Sequence, residues 1–120
     1  MDINKWLKHD FNMSRTKHDY LEFEREYRAL LLERTKKLGY ELISFNSHNY
    51  CFSAVIQSQA SKRYYYISIS DLRFFTKDWY DRVLWKEISG PSDIVGKDIQ
   101  YSALFSLFDN ICEHDNKRPN

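Results

Sequence analysis

The spacing of the apolar residues changes once, abruptly, at Gly39. Before it, Tyr20, Phe23, Tyr27, Leu30, Leu31 and Leu38 recur at helical spacing, which is the mark of one buried stripe on a helix. After it, Phe52, Ala54 and Ile56, then Tyr65, Ile67 and Ile69, recur at every second position, so each segment has one apolar face as a strand. A chain that runs a long helix first and a set of strands afterwards does not alternate strand and helix. It belongs to the α+β class, and the short connections between its strands require an antiparallel sheet.

The spacing predicts a helix from Thr16 to Leu38. Thr16 and Asp19 can form a capping box at its start, Lys36 and Lys37 face the negative end of the dipole, and Gly39 caps the end. A short helix over 2–11 is expected before it, from Ile3, Trp6, Leu7 and Phe11. Strands are expected at Tyr40–Phe45, Tyr50–Ser58, Arg63–Ser70 and Val83–Ile88, with turns at Asn46–Asn49 and Gln59–Lys62. Tyr101, Leu104, Phe105, Phe108, Ile111 and Cys112 predict a last helix from Asp98 to Cys112. The expected architecture is a four-stranded antiparallel sheet with a long N-terminal helix and a C-terminal helix packed on one face, in the order α-α-β-β-β-β-α. Residues 1–113 then form a single α+β domain, and 114–120 a polar C-terminal tail that frays.

Composition excludes several chemistries. Eighteen basic and seventeen acidic side chains give a net charge of +1, neither the basic excess of most nucleic-acid binders nor the strong negative charge of a nucleic-acid mimic. The three glycines, Gly39, Gly90 and Gly96, are scattered, so no phosphate cradle can be assembled from them. Cys51 and Cys112 are the only cysteines, too few for a disulfide framework or a four-ligand zinc site, and are expected as reduced thiols of a cytoplasmic protein. No G-x-S-x-G elbow is present, and the nearby Cys51 and His48 are read as an incidental pair. His9-Asp10, His18-Asp19 and His114-Asp115 lie near helix ends, where Asp caps and His is solvated. Asp71, Asp78 and Asp81 lack the spacing and the glycine of a calcium loop. No run of apolar residues is long enough to span a membrane, and the N-terminus has no signal-peptide pattern. The expectation is a non-enzyme with no cofactor, no metal and no membrane association; a homodimer stays open.

Two surfaces stand out. Residues 71–82 fit no single period and carry Arg73, Phe74, Phe75, Trp79, Tyr80 and Arg82 between two strands that a short turn could join. Trp, Tyr and Arg are the residue types enriched at binding hot spots, so this stretch is the predicted protein-binding surface; the competing reading is that it folds back into the core. The second surface is Lys62, Arg63, Tyr64, Tyr66 and Lys86, where outward tyrosines beside cations could stack single-stranded bases and follow phosphates. Tyrosine on a solvated sheet face also has a purely structural explanation.

In general character, being small, glycine-poor, aromatic-rich and without a motif, the chain looks like the accessory proteins of bacteriophages and mobile elements. That resemblance implies a host protein partner, bound and blocked, including the nucleic-acid-targeting defences that anti-CRISPR and anti-restriction proteins inhibit. A single-stranded nucleic-acid-binding module is the alternative.

Overall fold

The computed structural model describes residues 17–48, 51–69, 83–92, 98–102 and 106–117. Among them the order is α1 (Lys17–Leu38), β1 (Tyr40–His48), β2 (Cys51–Ser58), β3 (Tyr64–Ile69), β4 (Val83–Ile88), β5 (Gln100–Ser102) and α2 (Leu107–Lys117). All strand pairs are antiparallel and the strands lie side by side in chain order. The fold is α+β, as the change of period requires. The helix expected over 2–11 lies outside the described residues.

Helix α1 buries Phe23, Tyr27, Leu31 and Thr35, which follow one another at i, i+4 spacing and so line one side of the helix. Thr35 has the place in the stripe that Leu38 was expected to fill, and its hydroxyl donates to the Leu31 carbonyl at 2.7 Å. Leu38 is exposed, 46 %. Gly39 ends the helix at φ +76°, a left-handed conformation that a side chain disfavours. Its carbonyl accepts the Gln59 N–H at 2.9 Å, which ties the helix end to the β2–β3 turn.

Both helices pack on one face of the sheet. Phe23, Tyr27 and Leu31 from α1 and Leu107, Phe108 and Ile111 from α2 share one core with Phe52, Ala54, Ile56, Tyr65, Ile67, Ile69, Val83 and Trp85. Aromatic rings concentrate at two places in it. Phe52 has Tyr27 at 5.0 Å and Phe23 and Phe45 at 5.7 Å between ring centroids. Tyr65 has Tyr40 at 6.4 Å, Trp85 at 6.3 Å and His114 at 5.9 Å.

The structure corrects the sequence reading at three points. First, β1 runs on to His48, which pairs with Cys51, so Asn46–His48 of the turn expected at Asn46–Asn49 belong to the strand. An irregularity between Leu42 and Ser44 inserts an extra residue, which hid the period of two.

Second, the sheet has a fifth strand, and the order among the described residues is α-β-β-β-β-β-α. Gln100–Ser102 pairs with Val83–Trp85 instead of opening the last helix. Tyr101, assigned to the helix stripe, is 62 % exposed, while Ser102 is buried. The Ser102 hydroxyl accepts from Trp85 Nε1 at 2.8 Å and from Asn110 Nδ2 at 2.7 Å, and these bonds compensate the burial of a polar group.

Third, the helix continues through His114–Lys117, which were expected to fray. Asp115 is buried and anchors the last turn. Its Oδ1 accepts from Tyr65 Oη at 2.7 Å, Ser61 Oγ at 2.7 Å and Arg63 Nη1 at 3.3 Å. The His-Asp dyad at 114–115 is therefore not a solvated His beside a capping Asp. His114 stands edge-on to Tyr65 and Trp85, with Nε2 3.3 Å from Glu87 Oε1.

Candidate functional site

With both helices on one face, the opposite face of the sheet is built by the alternate residues. Register sets three rows across it. Asn46, Ser53, Ser68, Leu84 and Tyr101 are successive partners, as are Ser44, Val55, Tyr66 and Lys86, and then Glu41, Gln57, Tyr64 and Ile88. Val55 and Ile88 are buried at 4 % and 5 %. Tyr64, Tyr66, Ser68, Leu84 and Lys86 are half-buried, and Tyr101 is the most exposed large apolar side chain among the described residues.

The residues named for nucleic-acid binding separate. Tyr64, Tyr66 and Lys86 come together, with Lys86 Nζ 5.6 Å from the Tyr66 ring centroid, in the range of a cation–π contact. Lys62 lies in the β2–β3 turn at φ +66°, where its Nζ donates to Gln59 Oε1 at 3.3 Å. Arg63 goes to the other side. Its Nη1 donates to the Asp115 carbonyl at 3.0 Å as well as to the carboxylate, and its side chain is only 13 % exposed. Arg63 shares the odd parity of Tyr65, Ile67 and Ile69, so strand alternation directs it to the helix-covered face. A continuous row of cations beside the tyrosines is not formed by these residues.

Arg73, Phe74, Phe75, Trp79, Tyr80 and Arg82 lie outside the described residues. Their anchors are described. Ile69, the last residue of β3, is the direct ladder partner of Val83, the first of β4. The next pair inward, Ser68 and Leu84, belongs to the face opposite the helices.

At the hairpin end of the same face, a depression of about 180 Å³ is bordered by Asn46, His48, Cys51, Ser53, Tyr66 and Ser68. His48 and Cys51, read from the sequence as an incidental pair, are cross-strand partners. Leu84 and Tyr101 were also missed as surface groups. The alternation of Leu84, Lys86 and Ile88 could have signalled the first, whereas Tyr101 was absorbed into a helical stripe.

A second polar cluster seals one end of the core. Burial pushes the Tyr65 and Tyr40 hydroxyls well above their ordinary range, and Asp115 adds to both shifts. Burial would raise the Asp115 carboxyl too, but hydrogen bonds from Tyr65, Ser61, Ser58 and Arg63 outweigh it and hold the group below its ordinary value. Asp115 is thus an ionised acceptor with every neighbour donating to it, an arrangement that fixes α2 in place and leaves it no proton to give. Among the described residues no group of three or more His, Cys, Asp or Glu side chains could hold a metal ion. No described helix is long and apolar enough to cross a membrane.

Compared with protein-family models, curated proteins and solved structures, the chain finds no match in any of the three.

Proposed function

We propose that the chain is a small, non-catalytic, inhibitor-type protein that binds and blocks a host protein through residues 70–82 and the adjoining margin of the sheet face opposite the helices. The observation that carries this reading is the pairing of Ile69 with Val83. Strands β3 and β4 are neighbours up to their last residues, so a two-residue turn would join them, yet thirteen residues do. Hairpin loops ordinarily have about 2–5 residues, and longer ones are commonly functional. Residues 70–82 carry Arg73, Phe74, Phe75, Trp79, Tyr80 and Arg82. Aromatic side chains gain contact area at little cost in rotamer entropy, and arginines add charge-assisted hydrogen bonds at the rim. Leu84 and Tyr101, ladder partners next to the Ile69–Val83 pair, would add apolar contact area.

The general character of the chain supports a phage or mobile-element accessory protein directed against a nucleic-acid-targeting defence. The two reduced thiols fit a cytoplasmic setting. The test is capture of partners from a bacterial lysate, identified by mass spectrometry, with the wild-type chain and a Trp79→Ala/Tyr80→Ala double variant of unchanged circular dichroism. A partner held by the wild type should bind the variant at least about thirtyfold more weakly, or roughly 2 kcal/mol. Equal affinity would move the binding surface elsewhere.

A second reading rests on the Tyr66–Lys86 contact, which puts a cation over an aromatic ring on the sheet face opposite the helices. Such a platform stacks single-stranded bases, and Tyr66→Ala should then cost about 1–3 kcal/mol per stacked base. The engagement of Arg63 by Asp115 removes one expected phosphate contact and ranks this reading second. No shift of a labelled oligonucleotide at low salt would dismiss it.

A further inference from the structure

We infer that the outer edge of β1 and the adjoining flank of α1 bind a second copy of this chain across a twofold axis. Among the described residues, β1 is an outer strand and pairs with β2 alone. The opposite edge is blunted, because β5 has three residues, whereas β1 has nine. An extra residue at Ile43 interrupts β1, but residues 44–48 beyond it keep an unbroken register with β2. They contain no Lys, Pro or carboxylate, the side chains that guard an exposed edge. Asn46, Ser47 and His48 are exposed.

Helix α1 presents a matching flank. Leu21, Glu24, Arg28 and Leu32 fall within about 80° of helical arc. Leu21 and Leu32 are 52 % and 50 % exposed, and Arg28 is exposed. Among the described residues, neither Glu24 nor Arg28 forms an ion pair. Leu30, on the opposite flank, packs against the core. The flank of Leu21 and Leu32 therefore faces away from α2, toward the edge formed by β1.

This flank is its own complement. A twofold axis passing α1 between Glu26 and Tyr27 sets Leu21 against Leu32 of the second copy and Glu24 near its Arg28, and each contact occurs twice. Arg25, about 60° farther round the helix, is exposed on the solvent side. The Tyr27 ring is 5.0 Å from that of Phe52, and Phe52 is the ladder partner of Ser47. The same axis thus passes β1 near Asn46, the middle of residues 44–48. Antiparallel pairing centred there puts Ser44 opposite His48 of the second copy and sets no like charges against each other between the strands. Helix α1 packs on β1 and reaches Phe52 of β2, and paired strands lie about 4.8 Å apart. The two copies of α1 then run about 10 Å apart, the separation of packed helices. Residues 70–82 take no part in this surface, so self-association and binding of a host partner are tested separately.

The test is the mass of the full chain by sedimentation equilibrium from about 1 to 300 μM. It should rise from 14.6 kDa toward twice that value. Arg28→Glu and Glu24→Arg, each with unchanged circular dichroism, should each weaken self-association at least about tenfold, because like charges then meet across the axis. Mixed in equal amounts, the two variants should associate again, since each Glu of one then meets an Arg of the other. A mass of 14.6 kDa at every concentration, self-association insensitive to both charge reversals, or a mixture no heavier than its parts would overturn the inference.

Discussion

Tyr65 and Asp115 lie fifty positions apart in sequence and share a hydrogen bond of 2.7 Å in the buried core. Tyr27, equally buried on the same face of the sheet, has a hydroxyl with no hydrogen-bond partner among the described residues. Two tyrosines of one core thus bury the same group under opposite conditions.

Removing the two hydroxyls should therefore have effects of opposite sign. Tyr65→Phe leaves an ionised carboxylate short of a donor and should cost about 1.5–3 kcal/mol. Tyr27→Phe removes an unsatisfied group and should be neutral or stabilising by up to about 1 kcal/mol. Urea unfolding of the two variants checks this, and equal destabilisation would mean that the Tyr27 hydroxyl is satisfied in solution.

Acid should unfold the chain by way of Asp115. Its folded carboxyl sits below the ordinary value, so the stabilisation is fully present above the unfolded pKa of about 3.9 and is lost as pH falls through the folded one. Asp115→Asn should show a shallower loss of urea midpoint between about pH 5 and pH 2 than the wild type. On the alkaline side the sign reverses. The Tyr27, Tyr40 and Tyr65 hydroxyls are raised above 10.0, so their contribution is complete below that pH and is lost as pH rises through the raised values.

Phe108 is 5 % exposed and packs in the shared core. Phe108→Ala should cost about 3–5 kcal/mol, measured by thermal or urea unfolding. A cost below about 1 kcal/mol would mean that α2 is not docked on the sheet.

Replacing residues 70–82 by an Asn-Gly turn separates binding from folding. Ile69 and Val83 are already paired, and a two-residue Asn-Gly loop suits an antiparallel pair. The shortened chain should keep its circular dichroism spectrum and lose partner capture. Loss of the spectrum would show that the segment completes the core.

The legible parts of this fold are the ones whose local pattern and global position agree. Helix α1 and strands β2, β3 and β4 each keep one period for long enough to reveal a face. Strand β5 has three residues, too few for any period, and Tyr101 happened to fit a helical stripe that begins farther on. Asp115 was illegible for another reason. A charged residue near a chain end reads as solvated until its donors are known, and those donors, Ser61, Arg63 and Tyr65, are far away in sequence. In the candidate site, the tyrosines were readable by parity, and so was Arg63, had parity been weighed above its neighbourhood to Lys62 and Tyr64. The His48–Cys51 pairing depended on where a strand ended, the least determined quantity in a sequence.

The chain-order arrangement of the strands shapes how this protein is born. As the polypeptide leaves the ribosome, each strand meets a partner already synthesised, and the sheet can grow by local zippering with small loop-closure costs. The clasp at Asp115 cannot join in. Until α2 has emerged, Tyr65 and Trp85 have no helix against them at that end, and a nascent chain presents aromatic surface to solvent. Closure of this core thus waits for α2, and a truncation that removes Asp115 takes away that closing step while leaving the strands to pair without it.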